Sequence, residues 1–401
     1  MTTSVTASVH GDVAPGFEPV QEAFAATFTR FGEQGAACAA YVDGRKVVDL
    51  WGGEADRESG RPWTDDTLSV IWSATKGAVA VLVHVLAQRG DLDLDAPVAR
   101  YWPEFARNGK EGITVRMVLD HQAGLPVIDG AMSYDDLLAV DPVAERLAGQ
   151  APVWRPGTDH GYHAFSYGFL LGEIVRRVTG RRLGVAFAEE VAAPLGLDFW
   201  IGLPAEHEGR VSRLIPTPVG NVSTEGLSPA AREHAGAFFT AFADPASLTH
   251  RALHPLGTGF GNDTMNDPRA HRAEWGFGGG ICDARSLARM YAACVGEVDG
   301  VRLLSEPTLA DATAEQGDRR DAVLVYPTRW ASGFMLPNHI EPFLGPGSFA
   351  FTGAGGHVGI GDADRRIGFA YTMTAMFGNL TGDPRPRAVL DALEGCLRAR
   401  A

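Results

Sequence analysis

The feature that most constrains the fold is β-prone sequence at both ends of the chain with helical sequence between. Near the start, "ACAAYVDGRKVVDLWGG" gives two strand-like runs about Asp43-Gly44, and Asp-Gly between such runs is a strong hairpin signal. Near the end, "RWASGFML", "GAGGHVGIG" and "RIGFAYTMTAM" read as adjacent antiparallel strands. From Ser73 to about Thr179 the apolar residues recur at helical spacing, in "TVRMVLDHQAG", "YDDLLAV" and "YGFLLGEIVRRVTG", the last closed by a basic turn and Gly180. Val20 to Phe31, "SLARMYAACVG" and Arg385 to Arg400 predict further helices, with Val389, Leu393 and Leu397 on one stripe of the last.

Strands contributed by both ends predict a single antiparallel sheet flanked by helices, an α/β (α+β) fold carrying an inserted, mostly α-helical domain. The expected division is a discontinuous sheet domain, 1–65 and 275–401, and a helical domain, 66–274. Within the latter, residues 203–272 are rich in Pro, Gly, His and Asp and weakly periodic, apart from an apolar patch at Ala237 to Phe242. They are expected to form a loop-rich segment that shapes a substrate pocket.

Composition narrows the function. The chain has 401 residues, 45% hydrophobic and 21% charged, the profile of a soluble globular protein rather than a disordered chain or a coiled coil. With 35 Lys and Arg against 49 Asp and Glu, its formal charge is −14, so nucleic acid and anionic membranes are not expected partners. The longest apolar run, Gly77 to Ala87, falls short of the roughly 20 residues that span a bilayer. The first residues lack the basic and apolar regions of a signal peptide, so cytoplasmic residence is expected. Cys38, Cys282, Cys294 and Cys396 have no CxxC spacing and read as buried reduced thiols. Nothing in the sequence speaks to oligomeric state.

Chemistry concentrates at "WSATKG", where Ser73 and Lys76 precede the uncharged run "GAVAVLVHVLAQ". On a helix, side chains three apart share a face, so the two can touch. The apolar residues that follow imply a buried helix, and burial lowers a lysine pKa until the amine can act as a general base for serine. The backbone N–H of a hydroxyl residue at a helix start also points outward, as half of an oxyanion hole. The alternative for such a short motif is a polar helix start with a solvated lysine. Two further stretches stand beside it. "WRPGTDHGYHAFSYG" places Tyr162 at a rigid turn before a helix, and "FTGAGGHVGIGD" is a glycine-rich strand able to bring its backbone close to a ligand.

Together, Ser73-Ala-Thr-Lys76, the Tyr162-His-Ala box and Phe351-Thr352-Gly353 resemble, in order and approximate spacing, the three motifs of the class C β-lactamase superfamily. "LDHQAGLP" and "GFLLGEIVRRVTGR" are similar to that superfamily too, and the likeness runs from about residue 20 to the end. Two positions depart from the lactamase pattern: Ala164 stands where an asparagine would bind the substrate amide, and Phe351 where a lysine would grip a carboxylate. An apolar group there resembles the family VIII carboxylesterases and related acyltransferases of polyketide pathways.

The resemblance implies a β-lactamase/penicillin-binding-protein-like fold and a carboxylesterase-type serine hydrolase for a neutral small-molecule ester with a short acyl group, with no metal or organic cofactor. Ser73 would be the nucleophile, Lys76 its base, and Tyr162, hydrogen-bonded between them, the proton relay. Backbone N–H groups of Ser73 and Ala354 would hold the oxyanion. Phe351, Gly353, His357, Gln122 and His163 are the expected substrate contacts, with His160 near the same cleft. Acyl transfer to a second substrate, β-lactamase or D-aminopeptidase activity, and a non-catalytic binding role are the competing readings. The nearest string to G-x-S-x-G, Ala164-Phe-Ser166-Tyr-Gly168, lacks the first glycine and is better read as a helix start.

Overall fold

The computed structural model describes residues 8–216, 229–257, 260–378 and 382–400. Its main sheet contains β1 (Val9–Val13), β2 (Gly35–Val42), β3 (Arg45–Asp56), β4 (Ser348–Gly353), β5 (His357–Asp362) and β6 (Ile367–Met373). They lie in the order β1-β3-β2-β6-β5-β4, every neighbouring pair antiparallel. The first half of the sheet therefore joins the second along β2 and β6, with Ala36 opposite Met373 and Val42 opposite Ile367. At the β2–β3 turn Asp43 and Gly44 take φ of 49° and 74°, the left-handed pair that a two-residue hairpin demands. A Cβ on Gly44 would lie 2.0 Å from the carbonyl oxygen of Glu297, so this turn also excludes any larger residue.

The larger helices are α1 (Glu18–Arg30), α2 (Thr75–Arg89), α3 (Ser166–Thr179), α4 (Pro229–Ala243), α5 (Ala284–Val295) and α6 (Pro384–Arg398). Successive residues of a strand face opposite ways, and β2 divides accordingly. Ala36, Cys38 and Ala40 pack in one apolar cluster with Phe24 and Phe28 of α1 and Leu393 of α6. Ala37, Ala39 and Tyr41 join the other cluster with Leu287 and Ala288 of α5. On β6 the α1 side carries Ile367, Phe369 and Tyr371, while the α5 side carries small residues such as Ala370. Large side chains fill one interface, and small ones let α5 sit close on the other. None of the described helices is long and apolar enough to cross a membrane.

Two sequence expectations need correcting. In "RWASGFML" only Arg329 and Trp330 belong to a strand, Pro327–Trp330, which pairs with Gly317–Arg320. The chain then turns at Gly333, φ 89°, so that Met335 bridges to Ala350 rather than extending a strand. Residues 203–272 are more helical than their weak periodicity suggests. They contain α4 and shorter helices at Leu248–Leu253, Asn262–Met265 and Pro268–Arg272, with 217–228 and 258–259 outside the described residues. Six of the fifteen residues of α4 are alanine, the strongest helix former, so propensity rather than an apolar stripe builds it.

The segment that carries the serine is short and tightly held. Trp72–Ala74 form a single 3-10 turn and α2 starts at Thr75, two residues later than expected. Trp72 takes a φ of 48°. The Thr75 hydroxyl locks the turn by donating to the carbonyl of Trp72 at 2.6 Å and accepting from the amide of Gly280 at 2.8 Å. Behind it α2 is buried without interruption from Thr75 to His84, a helix apolar all round and therefore central.

Candidate active site

The 3-10 turn and the first turn of α2 bring Ser73 and Lys76 to one face. Nζ of Lys76 lies 3.1 Å from Oγ of Ser73 and donates to the carbonyl of Phe277 at 2.7 Å. From the loop before α3, the phenol of Tyr162 donates to Oγ of Ser73 at 2.6 Å. Ser73, not Tyr162, is thus the middle member of the three, which corrects the expected order. Lys76 is fully buried and has aromatic rings around it, its Nζ 4.8 Å from the ring centre of Tyr162 and 5.8 Å from that of Phe351.

Burial without a counter-ion disfavours the ammonium and holds the Lys76 pKa well below its ordinary value. Burial acts the other way on Tyr162, raising its pKa so that the phenol keeps its proton. The phenol donates to Ser73 and Lys76 donates to Phe277; because burial favours the neutral amine, the lysine nitrogen, 3.1 Å from Oγ, can accept the Ser73 proton. This arrangement polarises the serine O–H toward nitrogen.

Tyr162 is held from behind by residues that sequence reasoning did not reach. Oδ1 of the buried Asp321 accepts from the amide of Tyr162 at 3.0 Å and from those of Val323 and Leu324 at 2.8 Å. Its other oxygen accepts from the indole of Trp330 at 3.3 Å, and that indole lies parallel to the Tyr162 ring, 4° between planes. His121, at φ 64°, meets Tyr162 edge-on and accepts from the amide of His163 at 3.2 Å. Asp321 and Trp330 lie far from Tyr162 in sequence, in a stretch without a motif.

A cavity of about 430 Å³ opens over Ser73 and is bordered by Tyr162, Ala164, Phe351, Gly353 and Ala354. Ser73 and Ala354 each sit in the first turn of a 3-10 helix, Trp72–Ala74 and Ala354–Gly356, where backbone N–H groups lack an intrahelical acceptor. A Cβ on Gly353 would stand 2.2 Å from the carbonyl oxygen of Ile71, so glycine there lets β4 dock against the turn that bears Ser73.

Four other expected contacts fall elsewhere. His163 is buried and fully used, Nδ1 donating to the carbonyl of Gly161 at 2.7 Å and Nε2 accepting from the amide of Leu125 at 2.9 Å. His357 is buried at the start of β5, opposite Gly353, with its pKa pushed down to about 3, by desolvation first and the charge of Arg385 second. Gln122 donates to Asp120 at 3.0 Å and to the carbonyl of Gln316 at 3.3 Å, and His160 pairs with Thr328 at 3.0 Å. None of the four borders the cavity. His160, His163 and His357 were suggested by proximity in sequence to Tyr162 or the glycine strand, and Gln122 by its place in "LDHQAGLP".

No group of three His, Cys, Asp or Glu side chains among the described residues is arranged to hold a metal ion. His250 and His254 have an HxxxH spacing but belong to no such group among the described residues. They stack at 3.9 Å, each with Nδ1 donating to a main-chain carbonyl, of Phe242 and of His250 respectively.

Known proteins are similar to this chain over most of its length. The family model described as Beta-lactamase matches residues 24–394. The chain is 37% identical over 374 residues to "Esterase/beta-lactamase LipL" of Mycobacterium tuberculosis (strain ATCC 25618 / H37Rv), covering 90% of this chain and 82% of that protein. A solved family VIII carboxylesterase superposes with a TM-score of 0.85 at 36% identity, over 97% of this chain and all of the other. A penicillin-binding protein homologue from Caulobacter crescentus does so at 0.83 and 34%, with the same coverage.

Proposed function

Because the chain belongs to the Beta-lactamase family, we propose that it is a serine hydrolase of neutral carboxylic esters working through an acyl-Ser73 intermediate. The observation that carries this reading is a fully buried Lys76 whose Nζ stands 3.1 Å from the Ser73 hydroxyl. The similarity to an esterase and a carboxylesterase supports the substrate class. So does the cavity wall, where Phe351 and Ala164 offer neither a cation for a carboxylate nor an amide for a lactam side chain.

In the reaction, Ser73 Oγ attacks the ester carbonyl as its proton passes to Nζ of Lys76. The carbonyl oxygen gains the negative charge and accepts the N–H groups of Ser73 and Ala354. Collapse expels the alkoxide, which takes the phenolic proton of Tyr162 while the Lys76 ammonium replaces it. Water then attacks the acyl carbon by the same route in reverse, its proton returning through Tyr162 and Lys76 to Ser73 and the acid leaving.

The test is intact-protein mass spectrometry after mixing with p-nitrophenyl butyrate and, separately, with a cephalosporin, followed by peptide mapping. A butyryl adduct on Ser73 with no lasting cephalosporin adduct is expected. A stable adduct from the cephalosporin alone would reassign the protein to lactam chemistry, and no adduct from either would remove the catalytic reading.

A further inference from the structure

The cavity over Ser73 is bordered by twelve Phe, Tyr and Trp side chains and, among the described residues, by no Asp, Glu, Lys or Arg. The one imidazole on it, His254, has its pKa lowered by desolvation first. A pocket this rich in rings and free of fixed charge specifies its ligand by size and apolarity.

The rings fall into two sets. Phe165, Phe260 and Phe277 contact one another at 4.8–6.0 Å within the apolar cluster that contains α2 and α3. Phe238, Phe239 and Phe242 come from one stretch of α4, with the first two at 5.5 Å, and belong with Phe351 to the cluster of the α1 side of the sheet. Tyr162 packs against both clusters, and its hydroxyl is on Ser73. An ester carbonyl placed at Ser73 would therefore lie at the seam between the two sets of rings.

Resting on the esterase reading above, we propose that the preferred substrate is a neutral ester with bulky apolar groups on both its acyl and its alcohol side, at least one of them aromatic. The cavity of about 430 Å³ lies within the range of roughly 300–1,000 Å³ that encloses drug-sized ligands, far more space than a short acyl ester of a small alcohol fills. Rings stacked on such walls gain from aromatic contact beyond simple burial. A carboxylate brought to them loses water with no partner in return.

The experiment measures kcat/KM for phenyl acetate, 2-naphthyl acetate, phenyl benzoate, 4-carbamoylphenyl acetate and 4-carboxyphenyl acetate, each divided by its alkaline hydrolysis rate. The naphthyl and benzoyl esters are expected to exceed phenyl acetate by about tenfold or more, since added apolar groups in a fitted pocket discriminate by that order. The carboxylate should fall about a hundredfold below the neutral carbamoyl ester. In Phe238→Ala the advantage of the larger esters shrinks. In Phe239→Arg, at the half-buried rim, the ratio of carboxylate to carbamoyl ester rises about tenfold or more. Equal rates across the series, with an acetyl adduct still found on Ser73, would overturn the substrate class alone. Absence of any acyl adduct would overturn the esterase reading beneath it.

Discussion

Nη2 of Arg385 donates to the carbonyl of Gly355 at 2.6 Å, so the last helix reaches across to the residue that follows the proposed oxyanion amide of Ala354. The same guanidinium donates to the carbonyl of Ala375 and pairs with Glu33 and Asp383, all three groups buried. Arg385→Met leaves two carboxylates buried beside an unpaired carbonyl and is expected to lower stability by about 3–5 kcal/mol. Arg385→Lys keeps the charge but not the planar fork. It is expected to stay folded and to lose kcat about tenfold with little change in KM, because the turn it braces acts on the transition state. Urea unfolding and steady-state kinetics read the two effects; a change in KM alone would show that Arg385 serves binding rather than the oxyanion turn.

Lys76→Met and Tyr162→Phe are each expected to lose roughly a hundred- to ten-thousand-fold in kcat/KM. The double variant should lose far less than the product of the two, since the three groups form one hydrogen-bonded chain. Circular dichroism should show both variants folded. Additive losses would mean that the two residues act on separate steps.

Lys76 also ties stability to pH. Its pKa is depressed in the folded protein and ordinary in the unfolded chain, so the unfolded state binds more protons in the window between the two values. Stability contributed at this site must therefore rise as pH rises through that window toward about 10.4. The difference in unfolding free energy between wild type and Lys76→Met should shift in favour of wild type over the same range, measured by denaturant titration at several pH values.

Asp120 runs the opposite way. It is buried, one carboxylate oxygen has no hydrogen-bond partner, and desolvation raises its pKa from 3.8 to about 7. The folded state then binds more protons than the unfolded one, so this site's contribution is full below pH 3.8 and is lost as pH rises through about 7. Asp120→Asn is expected to stabilise the protein above pH 7 relative to pH 4, by on the order of 4 kcal/mol at most. A gain equal at both pH values would contradict the titration.

Asp321→Leu strands the amides of Tyr162, Val323 and Leu324 that its Oδ1 now accepts. Each unpaired buried donor costs about 1–3 kcal/mol, and Tyr162 loses its anchor. A fall in Tm and a fall in kcat are expected together, whereas Asp321→Asn keeps the accepting oxygen and should retain much of both.

Ser73, Lys76 and Tyr162 were legible because their chemistry needs particular residue types at short, ordered spacing, and Phe351 because its place follows from that of Thr352-Gly353. The hairpin at Asp43-Gly44 was legible for a similar local reason, a turn only certain residues can make. His163 and His357 misled for the complementary reason: one residue along a turn or strand reverses which side of the backbone faces the cavity. Asp321 and Trp330 act through contacts between distant segments, which no local pattern encodes, whereas Phe238, Phe239 and Phe242 fall in the apolar patch of the segment expected to shape the pocket. The helical character of α4 was hidden because alanines, not a repeating stripe, sustain it.

The join of β2 to β6, Val42 against Ile367, sets the order in which a newly made chain becomes competent. The helix bearing Ser73 is synthesised early, yet the strand that supports Ala354 and the arginine that braces it come more than three hundred residues after the hairpin. Long-range pairing of this kind makes for slow folding. A ribosome-bound chain that has not yet released β6 and α6 carries Ser73, Lys76 and Tyr162 without the central strand of the sheet and the arginine that brace the turn at Ala354. The oxyanion turn is therefore the last part of the site to be braced, although its nucleophile is among the first to be made.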